Sequence, residues 1–114
     1  MTTEAAVPRR GHLYWVRLDK RRPVLLLSPD YRNTRAGDVI VVPLTTRLRE
    51  APTHVRLRRG EGGAPARSIL KCEQITTVPR DVLEARPLGG SLSDRRLAEV
   101  EQAVLRAIGV PVGY

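Results

Sequence analysis

The sequence predicts a mainly β domain, a small and strongly bent sheet or barrel closed on one side by a terminal α-helix, and three observations carry that prediction. Apolar runs of strand length, rich in Val, Leu and Ile, recur from His12 to Thr77. Clusters of Asp, Asn, Gly and Pro punctuate them. After Gly89-Gly90 the period changes, and a single amphipathic helical pattern begins.

The elements follow in order. His12 to Leu18 alternates, with Leu13, Trp15 and Arg17 on one side and Tyr14, Val16 and Leu18 on the other, a strand with much of both faces covered. Only Asp19, Lys20 and Arg21 separate it from Arg22, a length that favours a hairpin. Val24 to Leu27 and Val39 to Leu44 are continuous apolar runs and read as central strands, with Pro29, Asn33 and Gly37 punctuating the connection between them. His54 to Arg58 alternates and reads as a half-exposed strand with a basic outer side. The segment from Arg58 to Arg67, with Gly60, Gly62, Gly63 and Pro65, reads as a mobile loop. Ser68 to Thr77 reads as a strand that bends midway, and Val82 to Leu88 as a short edge strand. Ser93 is placed as an N-cap with Asp94 in the first turn. Leu97, Val100, Val104 and Ile108 then recur at helical spacing until Gly109 and Pro111 end the helix.

Length and charge bound what such a domain can do. The 114 residues suit one domain over 11–114, preceded by a flexible arm over 1–10. The arm lacks a long apolar stretch, so neither a signal peptide nor a membrane anchor is expected. A formal net charge of +8 points to a polyanionic partner, nucleic acid first. Nearly all the basic residues are Arg, a bias that codon usage in a GC-rich genome would also produce, so a single arginine carries little weight. Cys72 is the only cysteine, which suits a reducing, cytoplasmic setting and reads as a small core residue rather than a nucleophile. Two isolated histidines, His12 and His54, lack metal-ligand spacing. Each reads as a surface or core residue, and no metal or cofactor is expected.

The chemistry centres on Arg22-Pro23 at the start of one apolar run and Thr45-Thr46 at the end of the next. A guanidinium fork and a hydroxyl that converge on one phosphate suit RNA cleavage without a metal. The plainer reading has Arg22 covering the strand with its stem and Thr45 and Thr46 bonding to backbone.

Ordered matches then give a family resemblance. Gly11-His12-Leu13-Tyr14-Trp15-Val16, Arg22-Pro23-Val24-Leu25, Val42-Pro43-Leu44-Thr45-Thr46, Ser68 to Ile75 with Thr77, and the Leu92-Ser93 segment with its helix follow one another as in the MazF/PemK toxin endoribonucleases. The sequence resembles that family over nearly its whole length. The resemblance implies a homodimeric SH3-like barrel of the CcdB/PemK type that cuts single-stranded RNA at short sequences, messenger RNA or else transfer or ribosomal RNA. The ribose 2′-OH would attack the adjacent phosphorus without a metal, leaving a 2′,3′-cyclic phosphate and a 5′-OH. An acidic, partly disordered MazE-like antitoxin would neutralise the toxin by wrapping its basic groove.

The same resemblance assigns roles. Arg22 corresponds to the catalytic arginine, and Thr45 to the active-site threonine. Lys71 and Glu73 match a basic residue and an acid carried by some members, with Glu73 a candidate general base and Lys71 an acid or second phosphate clamp. Strand alternation would set those two charges on one face, where they could equally form a structural ion pair. Tyr31, Arg47, Arg49, Arg56 and Arg58 are candidate RNA contacts, as are Asp19, Lys20 and Arg21 in a first loop shorter than the family's usual one. That shortening leaves the base open and should widen the groove. Two other classes fit the same barrel: a gyrase poison of the CcdB type, which has no need of Arg22 and Thr45, and a noncatalytic RNA-binding SH3-like module.

Overall fold

The computed structural model describes residues 7–112, which form a six-stranded sheet and two α-helices. The strands are β1 (Leu13–Arg17), β2 (Arg21–Leu26), β3 (Asp38–Thr45), β4 (His54–Leu57), β5 (Ser68–Lys71) and β6 (Thr76–Pro79). The helices are α1 (Asp30–Arg35) and α2 (Asp94–Ala107). β1 and β2 form the expected hairpin, in register from Leu13↔Leu25 to Arg17↔Arg21.

β3 organises the rest. β6 pairs with its Asp38 to Val41 and β2 with its Val41 to Pro43, and its last two residues, Leu44 and Thr45, pair with Leu70 and Ile69 of β5. The strand expected over Ser68 to Thr77 is thus divided. A 3₁₀ turn at Cys72–Gln74 lets its first part pair with β4 and the end of β3, and its second part with the start of β3. The sheet folds over on itself but stays open at β1 and β4, a bent sheet rather than a fully closed barrel.

Both faces of β1, β2 and β3 are covered, which is why their sequences read as nearly unbroken apolar runs. One core joins Leu13, Leu25, Val42, Leu44, Val55 and Leu70 to Leu97, Val100 and Ala103 of α2. The other holds Tyr14, Val16, Val24, Leu26, Val39 and Val41 against Val78 and Leu83. α2 begins as expected, with the Arg96 N–H donating to Ser93 Oγ at 3.1 Å, and ends before Gly109 at φ 83°.

Three connections differ from the sequence reading. Val82 to Leu88 is not a strand: after a 3₁₀ turn at Arg80–Val82, the N–H groups of Glu84, Leu88 and Leu92 reach the carbonyls of Trp15, Leu13 and Gly11 at 2.8, 2.9 and 2.9 Å. The chain spends four residues for every two of β1, and Pro87 has no N–H to donate, so it covers the edge without forming a ladder. The segment 58–67 is pinned rather than a loose loop. It turns at Glu61–Gly63, and at Gly63 (φ +84°) an added Cβ would stand 2.3 Å from the Leu88 carbonyl oxygen. The arm expected over 1–10 lies outside the described residues at 1–6. At its end it is held, the Arg9 N–H on Tyr14 Oη at 2.9 Å and the Arg10 N–H on Asp30 at 2.7 Å.

The connection from Ser28 to Asp38, read as punctuated by Pro29, Asn33 and Gly37, contains α1 and a buried polar knot. Ser28 Oγ donates to Asn33 Oδ1 at 2.5 Å, Asn33 Nδ2 returns a bond to the Ser28 carbonyl at 2.9 Å, and the Ile40 N–H donates to Ser28 Oγ at 3.0 Å. Asn33 is fully buried, so its amide is satisfied only by this knot and by Asp30. Asn33→Ala is expected to cost about 1–3 kcal/mol, because it leaves Ser28 unsatisfied in the interior; the urea midpoint with an unchanged m-value measures it.

Candidate active site

The corner where β3 leaves one half of the sheet for the other carries Thr45. Arg22 is brought to it by register: β2 and β3 are paired at Val24↔Pro43, and two residues further along that register Arg22 falls opposite Thr45. Both line an open cleft of about 280 Å³ with Trp15, Pro23, Leu44, Thr46, Pro65 and Ser68. Arg22 is exposed, and no acid among the described residues pairs with its guanidinium. The Thr45 hydroxyl accepts the Arg47 N–H at 3.2 Å, which fixes its oxygen and leaves its proton to donate elsewhere.

Thr45 also belongs to a second cleft, of about 240 Å³, lined by Arg47, Arg49, His54, Lys71 and Glu73. Lys71 ends β5 directly opposite His54 of β4. Glu73 follows in the 3₁₀ turn, so it reaches the cleft through that turn and not through the strand alternation read from the sequence. No Lys71–Glu73 ion pair forms. Glu73 bonds instead to Thr53, whose Oγ1 donates to Oε1 at 3.2 Å, and to His54, whose Nε2 lies 3.2 Å from Oε2. Burial raises the Glu73 pKa, but its own backbone N–H, His54 and Thr53 together outweigh burial and hold it below the usual carboxylate range.

His54 is the residue the sequence reading set aside. Its side chain is only 10% exposed, and its Nδ1 faces the Arg49 carbonyl at 3.1 Å while Nε2 faces Glu73. Oxygens of an ionised carboxylate and of a carbonyl only accept, so both bonds form together only when the ring carries both protons. The sequence signal was present but divided: His54 begins an alternating strand, and its partner lies nineteen positions later, beyond a loop.

The other expected RNA contacts are sorted by their partners. Arg47 and Arg49 line the second cleft, and Arg58 lines a third beside β4. Arg56 pairs with Glu50 at 2.6 Å. Arg21 does not stand free: it stacks 4.3 Å above Trp15 and grips Glu84 with two bonds of 2.7 and 2.8 Å. With Arg17 adding a third bond, these hydrogen bonds pull the Glu84 carboxyl down to about 2. Asp19 accepts the Lys20 N–H within the turn, and neither residue lines the two clefts. Tyr31 sits on α1, 71% exposed and away from both. His12 bonds to the Gly89 carbonyl through Nδ1 at 3.1 Å, a structural tie on the β1 edge.

The sequence profile described as "PemK-like, MazF-like toxin of type II toxin-antitoxin system" matches residues 9–108. The chain belongs to the PemK/MazF toxin family. It is 33% identical over 109 residues to "Probable endoribonuclease MazF5" of Mycobacterium tuberculosis, covering 94% of each chain. To "Endoribonuclease MazF" of Staphylococcus saprophyticus it is 31% identical over 91 residues, covering 78% of this chain and 74% of that one. Among solved structures it is similar to "Endoribonuclease in complex with its cognate antitoxin from Mycobacterial species", with a TM-score of 0.80 and 29% identity over 93% of this chain and 99% of that one. It is also similar to the MazE-MazF complex (Form-II) of Deinococcus radiodurans, with a TM-score of 0.78 and 27% identity over 92% and 98%. The bent sheet with its terminal helix is therefore the PemK/MazF fold.

Within that fold Cys72 is core. It is fully buried beside the cleft, and burial, with Glu73 adding to it, pushes the thiol up to about 12. Alkylation by iodoacetamide at about pH 8 is expected to run at least about a hundredfold slower in the folded protein than in urea, because so little thiolate is present; mass spectrometry over time reads the ratio.

Proposed function

We propose that this chain is a toxin endoribonuclease that cuts single-stranded RNA in the cytoplasm without a metal and is silenced by an acidic antitoxin of the MazE kind. The observation that carries the reading is the meeting of two clefts at Thr45, one holding the unpaired Arg22 and the other Lys71, His54 and Glu73. A phosphate seated at that junction faces cations from both sides.

The chemistry follows from charge. Attack of the ribose 2′-OH on phosphorus builds a dianionic five-coordinate transition state, and charge stabilisation is the main demand. Arg22 offers two parallel N–H groups to the non-bridging oxygens. Thr45, its oxygen held by the Arg47 N–H, donates its proton to one of them and fixes the approach for in-line attack. Lys71 adds a second charge from the far side of Thr45. Glu73 takes the 2′-OH proton and Lys71 gives one to the departing 5′-oxygen; Glu73 is a weak base, because the hydrogen bonds that hold it also lower its proton affinity. In this reading most of the rate therefore comes from Arg22, Thr45 and Lys71. His54 ties the 46–53 loop, through the Arg49 carbonyl, to Glu73 and so positions both. The antitoxin and a second copy of the chain enter from the family likeness, in which relatives are solved with antitoxin partners.

Incubation of antitoxin-free protein with a long single-stranded RNA in EDTA, followed by end mapping, tests the reading. Cleavage leaving cyclic or 3′-phosphate and 5′-OH ends is expected, reduced by about 10²–10³ in Arg22→Ala and by roughly tenfold or more in Thr45→Val. Intact RNA with folded protein would refute it, and RNA binding that persists without any cleavage would mark a noncatalytic module. His54→Gln cannot bridge the Arg49 carbonyl and Glu73 as the ring does, and its turnover is expected to fall roughly 10- to 100-fold.

A further inference from the structure

Outside the two clefts at Thr45, a cleft of about 480 Å³ beside β4 is lined by Leu48, Leu57 and five arginines. The nearby acids are already spent. Glu61 takes two bonds from Arg96 at 3.0 and 2.9 Å, Glu99 takes a third from the same guanidinium at 2.8 Å, and Glu50 takes Arg56. Arg58, Arg59 and Arg67 also line the cleft, and none has a salt bridge among the described residues. Arg58 lies in the field of Glu61, so Arg59 and Arg67 are the two charges left without an acidic partner among the described residues, beside Leu48, which is 45% exposed.

Position gives the cleft its meaning. Ser68 lines both it and the Arg22 cleft, so the two adjoin across one residue of β5. Ser68 Oγ is turned onto the Ala66 carbonyl at 2.8 Å and offers no charge to block the passage. A volume of about 480 Å³ lies within the usual range for a bound small molecule and holds one nucleotide. A nucleotide joins a flat body to an anion, and guanidinium planes can both pair with phosphate and cover a base.

We propose that this cleft is a flanking RNA subsite, in which Arg59 and Arg67 hold phosphates beside the cut and the exposed Leu48 carries the base. The inference rests on the endoribonuclease reading for its choice of RNA as the ligand. It makes the substrate path a strand that runs from Arg22 over Ser68 to the outer side of β4.

Binding of uncleavable, fully 2′-O-methylated random RNA about twelve nucleotides long, followed by fluorescence anisotropy across a salt series, tests it. Arg59→Ala/Arg67→Ala is expected to weaken binding roughly tenfold and to make the slope of log K against log salt shallower by about 1.4, two phosphate contacts at about 0.7 each. Arg59→Lys/Arg67→Lys should restore the slope but not the whole affinity, and thermal melts confirm that each variant is folded. Unchanged affinity and slope in the folded double alanine variant would overturn the subsite. So would a variant that keeps RNA but releases a polyglutamate peptide, since the occupant would then be an acidic protein. Cleavage by the parent is scored separately: a parent that cuts RNA while the variant binds unchanged sinks the subsite alone. A parent that cuts nothing yet shows the arginine-dependent slope sinks the nuclease reading and upholds the subsite.

Discussion

β3 has to serve two halves of one sheet, and the rest of the molecule depends on that constraint. Its first part pairs with β6, its middle with β2, and its last two residues with β5. A strand can exchange neighbours only by bending, and Pro43, which has no N–H to hold in a ladder, stands next to the exchange. The bend sets Thr45 at a corner with open space on both sides.

Electrostatics then follow from how the acids are used. The chain is strongly basic, yet its positive charge is not spread evenly, because most of the carboxylates near the sheet are bonded to chosen arginines. Glu84 holds Arg17 and Arg21, Glu61 holds Arg96, and both carboxyls are pulled below their ordinary range by those hydrogen bonds. Surface pairs of this kind add little stability. Their effect is to remove some cations from the field, while Arg22, Lys71, Arg59 and Arg67 have no acidic partner among the described residues. Glu73 is the exception, bonded to a histidine and a threonine instead of an arginine, and it stands in the cleft itself.

Arg22, Thr45 and Lys71 were legible because each sits at the end of an apolar run, where the period of the pattern marks the strand and the polar residue marks its boundary. Glu73 was legible by its match to the family, although by a wrong geometry: the 3₁₀ turn, not strand alternation, delivers it. His54 was illegible because the acid it faces lies nineteen positions away, and a lone histidine at a strand start has no pattern. Arg21 looked as available as Arg22, yet its neighbour in space is Glu84, more than sixty residues away. Asn33 read as turn punctuation and is a fully buried hydrogen-bonding centre.

The sequence by itself determined the order and kind of the main elements, the capped terminal helix, the buried Cys72 and the candidate pair Arg22 and Thr45. Those features are written in periodicity and in short-range capping, which act within a few residues. Only the tertiary structure decided which charges are free, which carboxylate faces which cation, and how the clefts adjoin at Thr45 and Ser68. Such outcomes depend on contacts between residues far apart in the chain, where charges interact through space and the register of one strand against another sets which of them meet.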